Sequence, residues 1–149
     1  MSETREPALR GDCANCFGLC CVALPFAKSA DFAVDKPPGE PCRNLQEDFR
    51  CGIHTRLRPS GFQGCTVYDC FGAGQQVSQV TFGGVSWREA PETTSRMFDV
   101  FYVMRQLHEL LRYLTEALDR PAAPPVHAAR RGALDPGEAR PPVSADTRG

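Results

Sequence analysis

The chain has no apolar run long enough to cross a bilayer. Its longest, FDVFYVM from Phe98 to Met104, is interrupted by Asp99 and is far shorter than the roughly 20 residues a membrane helix needs. A membrane is therefore not an expected partner. Nor is there a surplus of positive charge, since 17 Lys and Arg face 18 Asp and Glu for a formal net charge of -1. Without a basic field nothing draws the chain onto a phosphate backbone, so nucleic acid is not an expected partner either. The opening MSETREPALRGD mixes both signs of charge and lacks the apolar stretch of a secretory signal, which predicts a cytosolic chain. Histidine is scarce: His54 is the only one between residues 13 and 86, leaving little from which to build a general base.

What is present instead is cysteine. Eight occur, at positions 13, 16, 20, 21, 42, 51, 65 and 70, and none follows Cys70. Four of them fall within nine residues, CANCFGLCC from Cys13 to Cys21. A reducing cytosol keeps thiols reduced, so the pattern points to metal or catalysis before disulfides. Four thiolates suffice for tetrahedral zinc or for an iron-sulfur cluster. Eight supply two such centres, or one centre and four structural thiols.

Two details of spacing sharpen this. CANC turns two sulfurs toward one centre across a short loop. The adjacent pair Cys20-Cys21 does the opposite, because neighbouring side chains diverge on a strand and lie about 100° apart on a helix. The pair is expected to serve different centres, or different irons of a larger cluster. Charge limits the unmetallated state: residues 1 to 70 hold eight Lys or Arg and nine Asp or Glu. With no positive surplus, bare thiols should stay mostly protonated, whereas a zinc ion or oxidised four-iron cluster with four thiolates carries only about -2.

Along the chain, residues 1 to 12 read as a disordered polar tail and residues 13 to 86 as a cysteine-rich metal-binding module. KPPGEP and RPSGFQG break that module into short pieces. NLQEDFRCGI reads as a hairpin with Leu45 and Cys51 to Ile53 as strand pieces. A short helix is expected after Cys70, with Ala73, Val77 and Val80 on one face and Gly83-Gly84 as its stop. The strongest periodicity predicts a long helix over about 91 to 119, within a segment 87–120. Pro91 lies in its first turn and Pro121 ends it. Met97, Phe101, Met104, Leu107, Leu111, Leu114 and Leu118 form its apolar face, with Phe98, Val103 and Leu110 beside it. This face is expected to pack on the module, or to meet a protein partner or a second copy over 97–118. His108 reads as a solvated residue at the helix edge. Residues 121–149 hold six of the 13 prolines and read as a disordered tail.

The order Cys-x2-Cys-x3-Cys-Cys, then PCRNL, then CGIHTRLRPSGFQGC, then TVYDC resembles the zinc- or iron-chelating CxxCxxCC (YkgJ-like) cysteine-cluster family. The similarity covers residues 13 to 75 and all eight cysteines. NCFGLCCVALPF, SADFA, CTVYDCFGAGQ, SQVTFGG and MRQLHELL resemble the amino-terminal region of actinobacterial pentapeptide-repeat proteins, here without the repeats. The resemblance implies Cys13, Cys16, Cys20, Cys21, Cys42, Cys51, Cys65 and Cys70 as ligands of zinc or an iron-sulfur cluster. His54 stands where relatives often carry Tyr, and is expected to pack beside the ligands rather than join them. Arg56 and Arg58 either offset thiolate charge or are simply exposed.

The fold expected from all this is α+β: a small, irregular, metal-stabilised module of short strands and helices packed on one long carboxy-terminal helix. The expected function is metal binding in a non-catalytic module. The alternatives are a thiol- or cluster-dependent redox enzyme, or the interaction domain of a truncated pentapeptide-repeat protein. Against a thioredoxin-like enzyme, no buried strand precedes Cys13.

Overall fold

A computed structural model describes residues 8–121. The chain forms two compact units, Met1–Leu110 and Leu111–Gly149. The expectations for residues 1 to 7 and 122 to 149 lie outside the described residues.

The α+β expectation is corrected by the backbone. Among the described residues there are no strands, only two isolated antiparallel bridges, Phe26 with Lys36 and Leu45 with Cys51. The physical reason is local. Beyond Lys36 the chain meets Pro37 and Pro38, which have no N–H to extend a ladder. The Leu45 pairing is bracketed by Gln46 N donating to Arg50 O (2.8 Å) and Gly52 N to Asn44 O (2.8 Å). It then ends as the chain enters a 3-10 turn at His54–Arg56. The hairpin read in this segment is thus a single closed loop with Phe49 at positive φ (64°).

The first unit is built from four α-helical pieces. These are α1 (Leu19–Val22), α2 (Gln63–Val67), α3 (Ala73–Gln75) and the start of α4 (Thr94–Asp119). Gly18 opens α1 in the left-handed region, and a Cβ there would come within 2.6 Å of Leu45 Cδ1. Only glycine satisfies both the backbone conformation and the close approach. Helix α3 runs on into a π-helical stretch, Gln76–Thr81. That wider turn rotates the later residues away from the expected face, so Ala73 and Val77 are buried while Val80 is exposed. Gly83 and Gly84, both at positive φ, follow it. A 3-10 turn at Pro91–Thr93 leads directly into α4.

The core lies where α1, α3 and the first half of α4 meet. Leu19, Val22, Ala23, Ala73, Val77, Met97, Phe98 and Phe101 are buried together. Burying a side chain such as Phe101 contributes about 1.5–3 kcal/mol, and few side chains do so here. The apolar stripe of α4 differs from the expected one: after Phe101 the buried position is His108, while Val103, Leu107 and Leu110 are exposed. His108 is therefore not a solvated edge residue. Its Nδ1 lies 2.7 Å from the Phe71 carbonyl, and that hydrogen bond lets a polar ring occupy an interior position.

A row of aromatic rings, Phe17, Phe49, Trp87 and Phe98, continues the core, with successive centroids 5.3 to 6.2 Å apart. Trp87 Nε1 donates to Phe17 O (3.0 Å). Arg88 covers the Phe49 and Trp87 rings and donates to the Gln46 and Glu47 carbonyls. A smaller cluster, Phe26, Phe32 and Phe62, sits under the 26–36 loop. Residues 10 to 12 are held by Gln75, which donates to Arg10 O and accepts from Asp12 N. In the second unit, Arg112 and Glu116 pair one turn apart at 2.7 Å. No helix among the described residues is long and apolar enough to cross a membrane.

Candidate metal centre

All eight cysteines are free thiols. Cys13 opens a 3-10 turn (Cys13–Asn15), and the Asp12 side chain caps it by accepting from Ala14 N. Cys16 follows it, and Cys20 and Cys21 lie on α1. Cys42 N donates to Cys21 O (2.8 Å), which draws the PCRNL segment against α1. Cys51 faces Leu45 across its bridge, Cys65 lies on α2, and Cys70 precedes α3. Cys13 and Cys65 reach solvent, and the other six are partly buried.

Electrostatic interaction links these thiols in two overlapping groups. Burial, then the charges of Cys21, Cys42 and Cys51, push the Cys65 thiol up to about 11. Burial followed by Cys21 and Cys42 raises Cys51 as well, against the Ile53 N–H that favours its thiolate. On the other side, burial raises Cys16 to about 11, with Cys70 adding to it. Cys13 is raised by burial and then by Cys70, Cys21 and the neighbouring Asp12 and Asp69. Cys21, Cys42, Cys51 and Cys65 thus act on one another, as Cys16 and Cys13 do with Cys70, but Cys21 also raises Cys13 and, ahead of Cys16 and Cys13, raises Cys20, so the two groups overlap.

The sets meet at Cys20 and Cys21, whose sulfurs are 3.9 Å apart. The expected divergence of this pair is thus not seen at the sulfurs. A thiol-to-thiolate hydrogen bond raises Cys20 and lowers Cys21, so Cys21 is the member that loses its proton first. Lys36 also favours the Cys21 thiolate. The Lys36 ammonium is buried, and it donates to Glu40 O (2.7 Å), Val22 O (3.2 Å) and Pro37 O (3.2 Å). The sequence offered no sign of this lysine's place; KPPGEP reads only as a turn.

Whether these residues suit a metal can be judged at Gly74. A Cβ there would sit 2.7 Å from Cys16 Sγ and 3.6 Å from Cys70 Sγ, so both sulfurs converge over a bare Cα. Glycine leaves the space two thiolates need to face a common centre. The donor chemistry suits zinc or an iron-sulfur cluster. As the side chains stand, no three His, Cys, Asp or Glu among the described residues converge closely enough to grip one ion. A bound metal would have to draw the sulfurs of each set inward.

His54 and Arg56 are exposed on their 3-10 turn, and among the described residues neither side chain hydrogen-bonds to a thiol. Sequence reasoning overlooked Tyr68 and Arg105. Burial raises the Tyr68 phenol, whose side chain hydrogen-bonds with Arg105 and feels the charges of Cys20 and Cys70. Arg105 Nε is buried without a hydrogen-bond partner. Its signal was its position one turn before His108 on the α4 face.

No family model matches the chain, and no solved structure matches it. The chain is similar to the uncharacterized protein YybG of Bacillus subtilis (strain 168), with 61% identity over 123 residues, or 83% of this chain. It spans 44% of that relative's length.

Proposed function

We propose that the chain is a metal-binding module in which two sets of four cysteines each hold a zinc ion or an iron-sulfur cluster. Cys13, Cys16, Cys20 and Cys70 form one set, and Cys21, Cys42, Cys51 and Cys65 form the other. The observation that supports this reading is the gathering of eight free thiols from the 13–21, 42–51 and 65–70 segments into one mutually interacting cluster, with the Cys20 and Cys21 sulfurs 3.9 Å apart at its middle. The motif order described above supports the same ligands.

Metal has a structural role in this reading. The cysteine segments contribute few residues to the core, chiefly Leu19, Val22, Ala23, Ala73 and Val77. Ligation would tie the 13–21, 42–51 and 65–70 segments together where apolar burial is thin, making binding free energy part of folding free energy. Burial of the thiols favours their protonated state, so uptake of metal releases protons.

The test is anaerobic purification followed by analysis of zinc, iron and acid-labile sulfide. Brown protein with inorganic sulfide identifies clusters, and colourless protein with two zinc ions per chain identifies tetrathiolate zinc. Protein that takes up neither, and whose reduced metal-free form unfolds as cooperatively as protein offered metal, refutes the proposal.

A further inference from the structure

Cys20 and Cys21 are adjacent on α1, and their sulfurs lie 3.9 Å apart. One helical turn supplies both side chains, so the contact does not depend on bringing distant segments of the chain together. Both thiols are partly buried rather than enclosed, which leaves the pair open to a solute as small as hydrogen peroxide. From this separation the sulfurs need approach by only about 2 Å more to reach disulfide bond length.

The backbone beneath them resists that last approach. Consecutive Cα atoms stand about 3.8 Å apart, closer than the roughly 4.4–6.8 Å over which disulfides normally close. The turn is also tied down on several sides: Cys21 N donates to Gly18 O (2.9 Å), Ala23 N to Leu19 O (2.8 Å), and Cys42 N to Cys21 O (2.8 Å). Leu19 and Val22, on either side of the pair, are core residues. A bond between the two sulfurs therefore has to open α1, and a bond closed against such resistance is readily reduced again. The oxidation state of the pair is in this way coupled to the turn that joins the core to the Cys42 segment.

We infer that Cys20 and Cys21 form a reversible vicinal disulfide, a peroxide-responsive switch whose closing loosens α1 from the Cys42 segment. First, one of the two sulfurs, as thiolate, attacks an oxygen of hydrogen peroxide; the O–O bond breaks, hydroxide leaves and a sulfenic acid forms. The neighbouring thiol then attacks the sulfenic sulfur, the S–S bond forms, and the oxygen leaves as water with the thiol's proton. In sum two thiols lose two electrons and two protons, and one peroxide is reduced to two waters. A low-molecular-weight thiol reverses the change by exchange and is itself oxidised to a disulfide. The inference needs only these two sulfurs and does not rest on the metal-binding reading; a metal held by either sulfur would compete with the bond.

The test is to treat the reduced full-length chain with equimolar hydrogen peroxide, both as purified and after a chelator has removed any metal, then to alkylate, digest and map it by tandem mass spectrometry. In at least one preparation Cys20 and Cys21 should together lose two hydrogens and take up no alkyl group, while Cys13 and Cys16 in the same stretch are alkylated. Glutathione should restore both thiols. Amide exchange at Cys42 should quicken on oxidation and recover on reduction, and in Cys20→Ser or Cys21→Ser peroxide should leave it unchanged. If a serine variant fails to fold by circular dichroism, the wild-type map and its Cys42 exchange decide the question. A first disulfide that joins other cysteines, such as Cys16 to Cys70, overturns the inference. So does a pair that is alkylated or over-oxidised without a bond in both preparations, or a bond that leaves Cys42 exchange as it was. Metal content, measured on the same purified sample, reports on the metal-binding reading separately.

Discussion

Replacing Gly74 by alanine sets two opposing effects against each other. Gly74 lies in α3, where alanine is the better helix former by about 0.5–1 kcal/mol. Against this gain, the new Cβ would stand 2.7 Å from Cys16 Sγ, where ordinary contacts lie at 3.4–4 Å. Cys16 is partly buried and packed against the core, so its sulfur cannot swing freely away. Overpacking of this kind costs about 1–3 kcal/mol, and the net effect should be a loss of roughly 1–2 kcal/mol. The loss should be accompanied by weaker metal binding in the set that contains Cys16 and Cys70. The assay is urea unfolding of the reduced chain together with chelator competition. Gly83→Ala serves as the comparison, since it introduces strain at positive φ but meets nothing within 4 Å, and it should leave metal affinity unchanged. If Gly74→Ala instead raises stability and binds metal as wild type does, the two sulfurs do not converge there and the reasoning is refuted.

Four further outcomes are expected. His108→Leu should cost about 1 kcal/mol in urea unfolding, because the hydrogen bond between the buried imidazole and the part-buried Phe71 carbonyl is lost. Arg88→Ala should destabilise by about 1–2 kcal/mol, since it uncovers the Phe49 and Trp87 rings and frees two loop carbonyls; amide exchange over residues 44 to 52 should quicken in step. The reduced metal-free chain should lose stability as pH rises from about 9 through about 11, because Cys16 and Cys65 resist ionisation in the fold and not in the unfolded chain. Cys21, shifted the other way, opposes this in part. A urea midpoint that stays flat over that range would contradict the buried placement of these thiols. The metal-loaded protein should show the reverse trend, losing metal as pH falls and protons compete for the thiolates.

Helix α4 shows how far periodicity reaches. Met97 and Phe101 are buried as their spacing predicts, but the i+3/i+4 count then favours Leu107, whereas His108 is the buried residue. Apolar spacing cannot register a polar side chain that gains a hydrogen bond from the Phe71 carbonyl on another segment. The strand reading failed for a related reason. Leu45 and Cys51 do pair, but one bridge closed by a tight loop satisfies the local backbone, and nothing alongside extends it into a sheet. The π-helical stretch after α3 was equally invisible, because a one-residue change of period over six residues leaves the composition unaltered.

The candidate site divides in the same way. The eight cysteines, their order and the class of metal they suit follow from residue identity and spacing, because thiolate chemistry belongs to the side chain wherever it is placed. Which thiols approach one another depends on contacts across the chain, such as Cys42 N on Cys21 O and the approach of Cys16 and Cys70 over Gly74. The same is true of Lys36. In sequence it is an ordinary charged residue before two prolines; only the folded chain encloses it among three carbonyls beside Cys21 and Cys42. Sequence by itself determined what side-chain chemistry is available, and tertiary structure decided which of those groups approach one another, because the contacts that do so join residues far apart along the chain.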